Sequence, residues 1–168
     1  MSLNQIQITN QLIADLYKTS LVEMADKPAP LVSSVSEQAQ WKFLGENKKN
    51  ILIIVNYQNA VYLPDKDLSF LTKLLMACSL NLGDVAVINI HNYPGLNFND
   101  PVSNFQCKNV FLFGVGPETI GMPVLFPHFQ IQNFKNCAYL FTPALQELES
   151  DKLLKSKFWV CLKKIFNL

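Results

Sequence analysis

Polar side chains that could take part in chemistry are concentrated in three segments, each of which follows an apolar run. Residues 56–63, 91–99 and 114–123 are rich in amide, aromatic and glycine residues and poor in residues that transfer protons. Aromatic and amide side chains without titratable neighbours are typical of surfaces that recognise a protein partner. The binding site predicted from these segments and the strand ends before them consists of Asn56, Tyr57, Gln58, Asn89, His91, Asn92, Tyr93, Gly114, Gly116 and Glu118.

The usual arrangements of catalytic residues are missing from the sequence. There is no Gly-x-Ser-x-Gly nucleophile motif, and His91 and His128 are the only histidines. No carboxylate stands next to His91 in the sequence, so a hydrogen-bonding role is favoured over acid–base catalysis. Most carboxylates stand where helix starts are predicted, and the helix dipole explains an acidic residue there without any catalytic role. We therefore predict no catalytic residue.

The glycine-rich segment Gly114–Pro123 does not have the spacing of a phosphate-binding loop. It lacks the Lys-Ser pair of a Walker motif and the Gly-x-Gly-x-x-Gly spacing, and Pro117 removes one backbone amide. We expect a tight turn there, with a small-ligand site at Gly114–Gly121 as the alternative. The cysteines, at positions 78, 107, 137 and 161, include no Cys-x-x-Cys pair. They are interpreted as small buried hydrophobic residues, and neither a metal site nor a cofactor is predicted.

Composition limits the classes of function that fit the chain. A length of 168 residues suggests one domain, and a net charge of +1 does not support strong, direct binding to nucleic acid. Charged residues make up 16% while Phe occurs 12 times, which suggests that a protein partner covers some apolar surface. No apolar stretch of 18 residues and no amino-terminal signal pattern is found, so a cytoplasmic protein without a membrane span is expected.

Three continuous apolar runs must position the polar segments. They are Ile51–Asn56, Val85–Ile90 and Val110–Gly114. A strand with one face in water alternates polar and apolar residues, whereas a strand covered on both faces is apolar throughout. The runs therefore predict a three-layer α/β/α domain with a mostly parallel sheet of four or five strands. Because ligands and partners bind at the carboxyl ends of parallel strands, the polar segments should share one edge of the sheet.

Helices and weaker strands complete the predicted domain. Apolar residues at helical spacing predict a crossover helix at Leu68–Leu80, with Asp67 as its N-cap. Weaker strands are predicted at Phe129–Gln132 and Cys137–Phe141. A last amphipathic helix is predicted to begin after Ser150, which would cap it.

Residues 1–40 are predicted to precede a single domain at 41–168. Residues 8–24 have apolar side chains at helical spacing, and residues 26–40 contain two prolines and three serines, which indicates a linker. A helix of this length is marginal alone in water, so it packs either on its own domain or in the groove of a partner. The stripe that would dock on a partner consists of Leu12, Ile13, Leu16, Tyr17 and Leu21.

The carboxyl-terminal segment Tyr139–Ile165 resembles the end of the psi subunit of the bacterial DNA polymerase III clamp-loader assembly. In that family a strand leads into a Ser/Thr-Pro-Ala-Leu helix start, an acidic break and a last helix with a tryptophan. The matching residues are Thr142, Pro143, Ala144, Leu145 and Trp159. The resemblance implies a uracil-DNA glycosylase-like fold and a non-catalytic role in DNA replication. It also implies protein partners, namely clamp-loader subunits and the chi subunit.

The same resemblance allows a comparison with active uracil-DNA glycosylases. The segment Val87–Pro94 is similar to a strand-end segment of those enzymes, with Asn89 in line. The acid that activates water after the first strand is absent, because Asn56-Tyr57-Gln58 stands there, and no His-Pro-Ser-Pro segment is found. A non-enzymatic subunit is therefore the first hypothesis. A glycosylase-like enzyme with altered catalytic residues is the alternative.

Overall fold

The computed structural model describes residues 41–95, 97 and 99–168. The predicted amino-terminal helix at 8–24, its docking stripe and the linker at 26–40 lie outside the described residues. The described part of the chain is a mixed α/β fold around one sheet. No helix in the described ranges is long and apolar enough to cross a membrane.

One six-stranded sheet forms the centre of the fold, in the order β1-β3-β2-β4-β6-β5. The strands are β1 Leu44–Gly45, β2 Ile51–Val55, β3 Val85–Asn89, β4 Asn109–Phe113, β5 Ile131–Phe134 and β6 Cys137–Thr142. The four inner strands β3, β2, β4 and β6 are parallel, and the edge strands β1 and β5 pair antiparallel. The prediction of a mostly parallel sheet is confirmed. The predicted number of four or five strands is wrong, because the two-residue β1 adds a sixth strand.

The three apolar runs are the three central strands, as predicted, with ends that differ by one residue. Every residue of β2 and β3 is buried. Ile51 of β2 is in register with Val85 of β3 and with Asn109 of β4. Successive side chains along each strand therefore point to opposite faces, and both faces are covered.

The two faces of the sheet are covered by different kinds of structure. The described helices are α1 Asp65–Ala77, α2 Asn99–Phe105, α3 Leu145–Ser150 and α4 Lys152–Phe166. Helices α1, α3 and α4 pack on the face that includes Ile53 and Phe113, where the Phe113 and Phe158 rings lie 5.6 Å apart. The face that includes Ile54 and Leu112 packs against the short α2 and against coil and 3-10 turns.

The starts of two helices differ from the predictions. Helix α1 begins at Asp65 rather than Leu68, and Pro64 is its N-cap residue without a side-chain cap. Asp67 is therefore the third residue of the helix and not its cap. Helix α4 is capped by Asp151 rather than Ser150, since Asp151 Oδ1 accepts from the Leu153 N–H at 2.6 Å. In α1 the predicted cap lies inside the first turn, and in α4 the cap is one residue later than predicted.

In the edge hairpin, β5 is displaced by two residues from its predicted position, whereas β6 begins at Cys137 as predicted and ends one residue later. Strand β5 is Ile131–Phe134 instead of Phe129–Gln132, and Phe134 pairs with Cys137 at the end of the hairpin. Lys135 and Asn136 form the two-residue loop, with φ of 49° and 63°. Positive φ at both loop residues is the backbone requirement of a type I′ hairpin turn.

Candidate functional site

The carboxyl ends of β2 and β3 are joined by the side chain of Asn89. This residue ends β3 and is fully buried. Its Oδ1 accepts from the Tyr57 N–H at 2.9 Å and from the His91 N–H at 3.2 Å. Its Nδ2 donates to the carbonyls of Tyr57 and Ala60, both at 2.7 Å. All four hydrogen-bonding positions of the amide are therefore used within the protein.

Asn92 makes a second, more exposed connection between the same two loops. Its Nδ2 donates to the Val61 carbonyl at 2.9 Å, one residue beyond the carbonyl that Asn89 reaches. His91 lies between the two asparagines in a 3-10 turn, and its side chain is exposed. Within the described ranges, no carboxylate forms an ion pair with His91. This arrangement gives His91 no partner that would prepare it for acid–base catalysis.

Tyr93 lies next to these residues but contacts a different part of the molecule. Its ring is 4.7 Å from the ring of Trp41, and its hydroxyl accepts from the Lys42 N–H at 2.5 Å. Tyr93 therefore helps hold the segment before β1 in place. Asn56 and Gln58 are exposed at the end of β2, on either side of the partly buried Tyr57.

The glycine-rich segment after β4 forms a turn whose amide groups are used internally. The N–H groups of Thr119, Gly121 and Met122 each donate to a carbonyl of the same turn at 3.0 Å. Gly114 has a φ of 63°, and a Cβ there would lie 3.1 Å from the Ala144 Cβ. The Gly114 N–H donates to the Thr142 carbonyl at 2.9 Å, so the turn is joined to the end of β6. These bonds support the predicted tight turn over an anion site at Gly116 and Glu118.

A second group of polar residues at the same edge of the sheet was not predicted as a site. Asp67 is 1% exposed, and its Oδ2 accepts from the Gln146 Nε2 at 3.3 Å. Its Oδ1 is buried and has no hydrogen-bond partner among the described residues. Burial, then a hydrogen bond to Asp67 and the negative charge of that carboxylate, raise the pKa of the Tyr57 hydroxyl above its ordinary value. In the sequence, Asp67 was interpreted as a residue at a helix start, so the burial of its carboxylate was not predicted.

The second group links the starts of α1 and α3. Lys66, which follows Asp65 in α1, forms an ion pair with Glu149 of α3 at 3.4 Å. Gln146, in the first turn of α3, is exposed and lies against Asp67. Tyr57 belongs to both groups, because Asn89 holds its backbone and its hydroxyl is near Asp67. The structure thus brings Tyr57, Asn89, His91 and Asn92 together, and adds Asp67 and Gln146.

The cysteines are all buried and unpaired, as the sequence predicted. Burial raises the pKa of the Cys107 thiol to about 12, and it also raises the pKa of Cys137, whose thiol donates to the Cys107 carbonyl at 2.6 Å. Thiols with a raised pKa are poor nucleophiles and poor metal ligands near neutral pH. No group of three or more His, Cys, Asp or Glu side chains that could hold a metal ion occurs within the described part of the chain.

A scan against protein-family models finds no match to this sequence, and a search of curated proteins finds no significant match. The resemblance to the psi family therefore depends on the residues quoted for it, from Thr142 to Trp159.

Proposed function

We propose that this protein is a non-catalytic accessory subunit of the DNA replication machinery, similar to the clamp-loader psi subunit, and that it acts by binding proteins. The proposal includes a three-layer α/β/α fold of the uracil-DNA glycosylase type. The non-catalytic part of the proposal is supported by the hydrogen bonds of the Asn89 side chain. A side chain with all four hydrogen-bonding positions occupied by neighbouring loops is not free to bind a flipped base.

The local structure of the segment that resembles the psi family supports the proposal. Strand β6 ends at Thr142, whose hydroxyl donates to the Leu112 carbonyl at 3.3 Å. The short helix α3 buries Leu145 and Leu148 completely. Asp151 then separates α3 from α4, which contains Trp159. This order of strand, short helix, acidic break and last helix supports the proposal without identifying the partner.

Exposed apolar side chains on α4 offer a surface for a protein partner. Leu153 is 62% exposed and Val160 is 49% exposed. They are seven residues apart, which places them on the same side of the helix two turns from each other. Burying both would contribute favourable free energy to association. The predicted stripe at residues 8–24 remains a second docking surface proposed from the sequence.

The experiment is co-purification of the tagged full chain with purified clamp-loader subunits. The expected result is retention of at least one subunit by the wild-type chain and clearly weaker retention by a Leu153→Ser, Val160→Ser double variant. A Leu125→Ser variant is the matched control, because Leu125 is 73% exposed and lies outside α4.

A parallel assay for uracil release from single-stranded DNA separates the two functions. The proposal predicts no more free uracil than a sample without protein. Retention of no clamp-loader subunit would contradict the replication role, and catalytic release of uracil would contradict the non-enzymatic one.

A further inference from the structure

We propose that strand β5 is the docking site for an extended acidic segment of a protein partner. The segment pairs with β5 as a further strand of the sheet and places a carboxylate beside Lys108. The proposal rests on the proposed function, because it takes protein binding as the role of the chain. It adds the position of one contact and the chemistry of the segment that binds there.

The first argument is the direction of the backbone groups of β5. Ala138 of β6 donates its N–H to the Lys108 carbonyl at 2.9 Å, on the side away from β5, and its partner in β5 is Asn133. In an antiparallel pair, residues that are hydrogen-bonded to each other alternate with residues whose backbone groups point away from each other. The N–H and C=O groups of Asn133, and of Ile131 two residues before it, therefore point to the open side of β5.

These outward groups are almost uncovered within the described part of the chain. One hydrogen bond reaches them there, from Gln132 Nε2 to the Asn133 carbonyl at 3.4 Å, which is long for an N–H···O bond. No described strand pairs with β5 on that side.

Strand β5 also differs from the opposite edge of the sheet in how it is protected. Natural proteins protect edge strands by making them very short or by placing charged residues or proline in them. Strand β1 has only two residues, whereas β5 has four, Ile-Gln-Asn-Phe, without a charge or a proline. Edges of this kind are the sites at which an extended peptide adds a strand to a sheet.

The second argument is a pocket at the loop end of the β5–β6 hairpin. Residues 133–138 and Lys108 line an open pocket of about 480 Å³. These lining residues include two lysines and two asparagines and no acidic residue. A carboxylate accepts hydrogen bonds from both ammonium and amide groups. The pocket is therefore complementary in charge to an acidic side chain.

Lys108 is the cation on which the charge argument depends. Its side chain is exposed and forms no ion pair with any residue that the structure describes. Lys135 is already engaged, because its Nζ donates to Asn99 Oδ1 at 2.9 Å and lies 5.7 Å from the centre of the Phe134 ring.

The edge and the pocket together favour a polypeptide over a nucleic acid. Asn133 belongs to both, since its backbone faces the open side of β5 and it lines the pocket. The alternating donors and acceptors of a strand edge match the backbone of another strand. Nucleic-acid binding depends instead on the neutralisation of several phosphates, and this chain has a net charge of only +1.

The test is an NMR titration of the full ¹⁵N-labelled chain with a capped peptide of about six residues in which glutamate alternates with valine and threonine. One control peptide has glutamine in place of glutamate. A second has proline at two adjacent central positions, which removes N–H groups from both of its edges. We expect saturable shifts of the Ile131 and Asn133 amide signals with the glutamate peptide. Binding of the glutamine peptide should be about threefold weaker, and the proline peptide should cause no shifts.

Two variants separate the contributions of the pocket and the strand edge. Lys108→Gln should weaken binding of the glutamate peptide about threefold, whereas Lys73→Gln, which removes an exposed lysine of α1, should leave it unchanged. Asn133→Pro should weaken binding about tenfold or more, because it removes an outward N–H group. Proline is tolerated in an edge strand where its missing N–H faces solvent, so this variant should fold.

The proline peptide makes the same test from the ligand side if Asn133→Pro does not fold. Equal binding of the proline peptide, unchanged binding by a folded Asn133→Pro protein, or equal effects of Lys108→Gln and Lys73→Gln would each overturn the proposal. It would also be overturned by shifts confined to the lysines, which indicate ion pairing alone. Concentration-dependent shifts of Ile131 and Asn133 without peptide would assign the edge to a second copy of the chain instead. None of these readouts uses a clamp-loader subunit, so the strand-addition site and the replication role can fail independently.

Discussion

Asn89 and Asp67 are two buried polar residues at the same edge of the sheet, and they differ in how completely they are hydrogen-bonded. Asn89 makes four hydrogen bonds between 2.7 and 3.2 Å. Within the described ranges, Asp67 has only side-chain neighbours, namely Gln146, which donates to its Oδ2 at 3.3 Å, and the hydroxyl of Tyr57, whose pKa it raises. Both residues are near Tyr57, so their surroundings overlap.

The difference separates a residue that should stabilise the fold from one that should not. A fully bonded buried amide rigidifies the loops that it joins and has nothing left to offer a ligand. A buried carboxylate that is held only by one long hydrogen bond and a neighbouring hydroxyl lowers stability, because the burial of a charge costs free energy unless it is paired. We therefore expect Asn89 to stabilise the loops that it joins and Asp67 to lower the stability of the fold. The predictions below test this division, from the largest expected effect to the smallest.

Replacement of Asn89 by Ala should have the largest effect on stability. It removes four hydrogen bonds and leaves the partly buried backbone groups of Tyr57 and Ala60 without these partners, so we expect the free energy of unfolding to fall by about 3 kcal/mol. Urea denaturation followed by circular dichroism measures the change. A loss below about 1 kcal/mol would show that water replaces these bonds easily, and the structural assignment would be wrong.

Replacement of Asp67 by Asn should have the opposite sign. The amide keeps the size of the side chain and removes a buried charge that has no counter-ion among the residues that the structure describes, so the free energy of unfolding should rise by about 1 kcal/mol. The control is Asp65→Asn, which changes an exposed charge in the same turn. If Asp67→Asn destabilises the fold while Asp65→Asn does not, Asp67 is a structural residue and its comparison with Asn89 no longer holds.

Replacement of Asn92 by Ala is a weaker version of the Asn89 experiment. Asn92 joins the same two loops through one bond to the Val61 carbonyl, but it is exposed and water can replace that bond. We expect a loss of about 0.5 kcal/mol in thermal or urea unfolding. A loss as large as that of Asn89→Ala would indicate that the loop connection, and not the burial of the amide, determines stability.

Replacement of Tyr57 by Phe should change how steeply stability falls with pH above about pH 10. Burial and Asp67 raise the pKa of Tyr57 above its ordinary value of 10.0, so the unfolded chain loses this proton at lower pH than the folded chain. The stabilising contribution is complete below about pH 10 and is lost as pH rises further. Urea midpoints measured from neutral pH upwards should therefore fall less steeply in Tyr57→Phe than in the wild type. Identical pH profiles would mean that the hydroxyl has the same environment in both states.

The sequence predicted the central strands accurately and the edges less well. The continuous apolar runs predict the bounds of β2, β3 and β4 to within one residue, because a strand that is buried on both faces is apolar throughout. Strand β1 has two residues and depends on pairing with β3, so no local sequence pattern predicts it. The hairpin of β5 and β6 turns at Lys135-Asn136, and lysine is not a usual residue at positive φ, so the turn was not anticipated.

The candidate site was predicted in part for the same reasons. Parallel strands place the ends of β2 and β3 together, and this alone brings Tyr57 close to Asn89. Asp67 and Gln146 are 79 residues apart, and their contact depends on how α1 and α3 pack on the sheet. An acidic residue near a helix start is also common for local reasons. Sequence spacing therefore could not distinguish a buried carboxylate from an ordinary helix-terminal one.

Calorimetric titration of the purified full chain with purified clamp-loader subunits tests the central claim most directly. The claim is that this edge of the sheet and the exposed face of α4 belong to a protein-binding subunit. We predict saturable binding with a Kd of about 1 µM or tighter for at least one subunit, which corresponds to about 8 kcal/mol of binding free energy. No measurable heat of binding with any subunit, from a chain that is folded by circular dichroism, would contradict the claim.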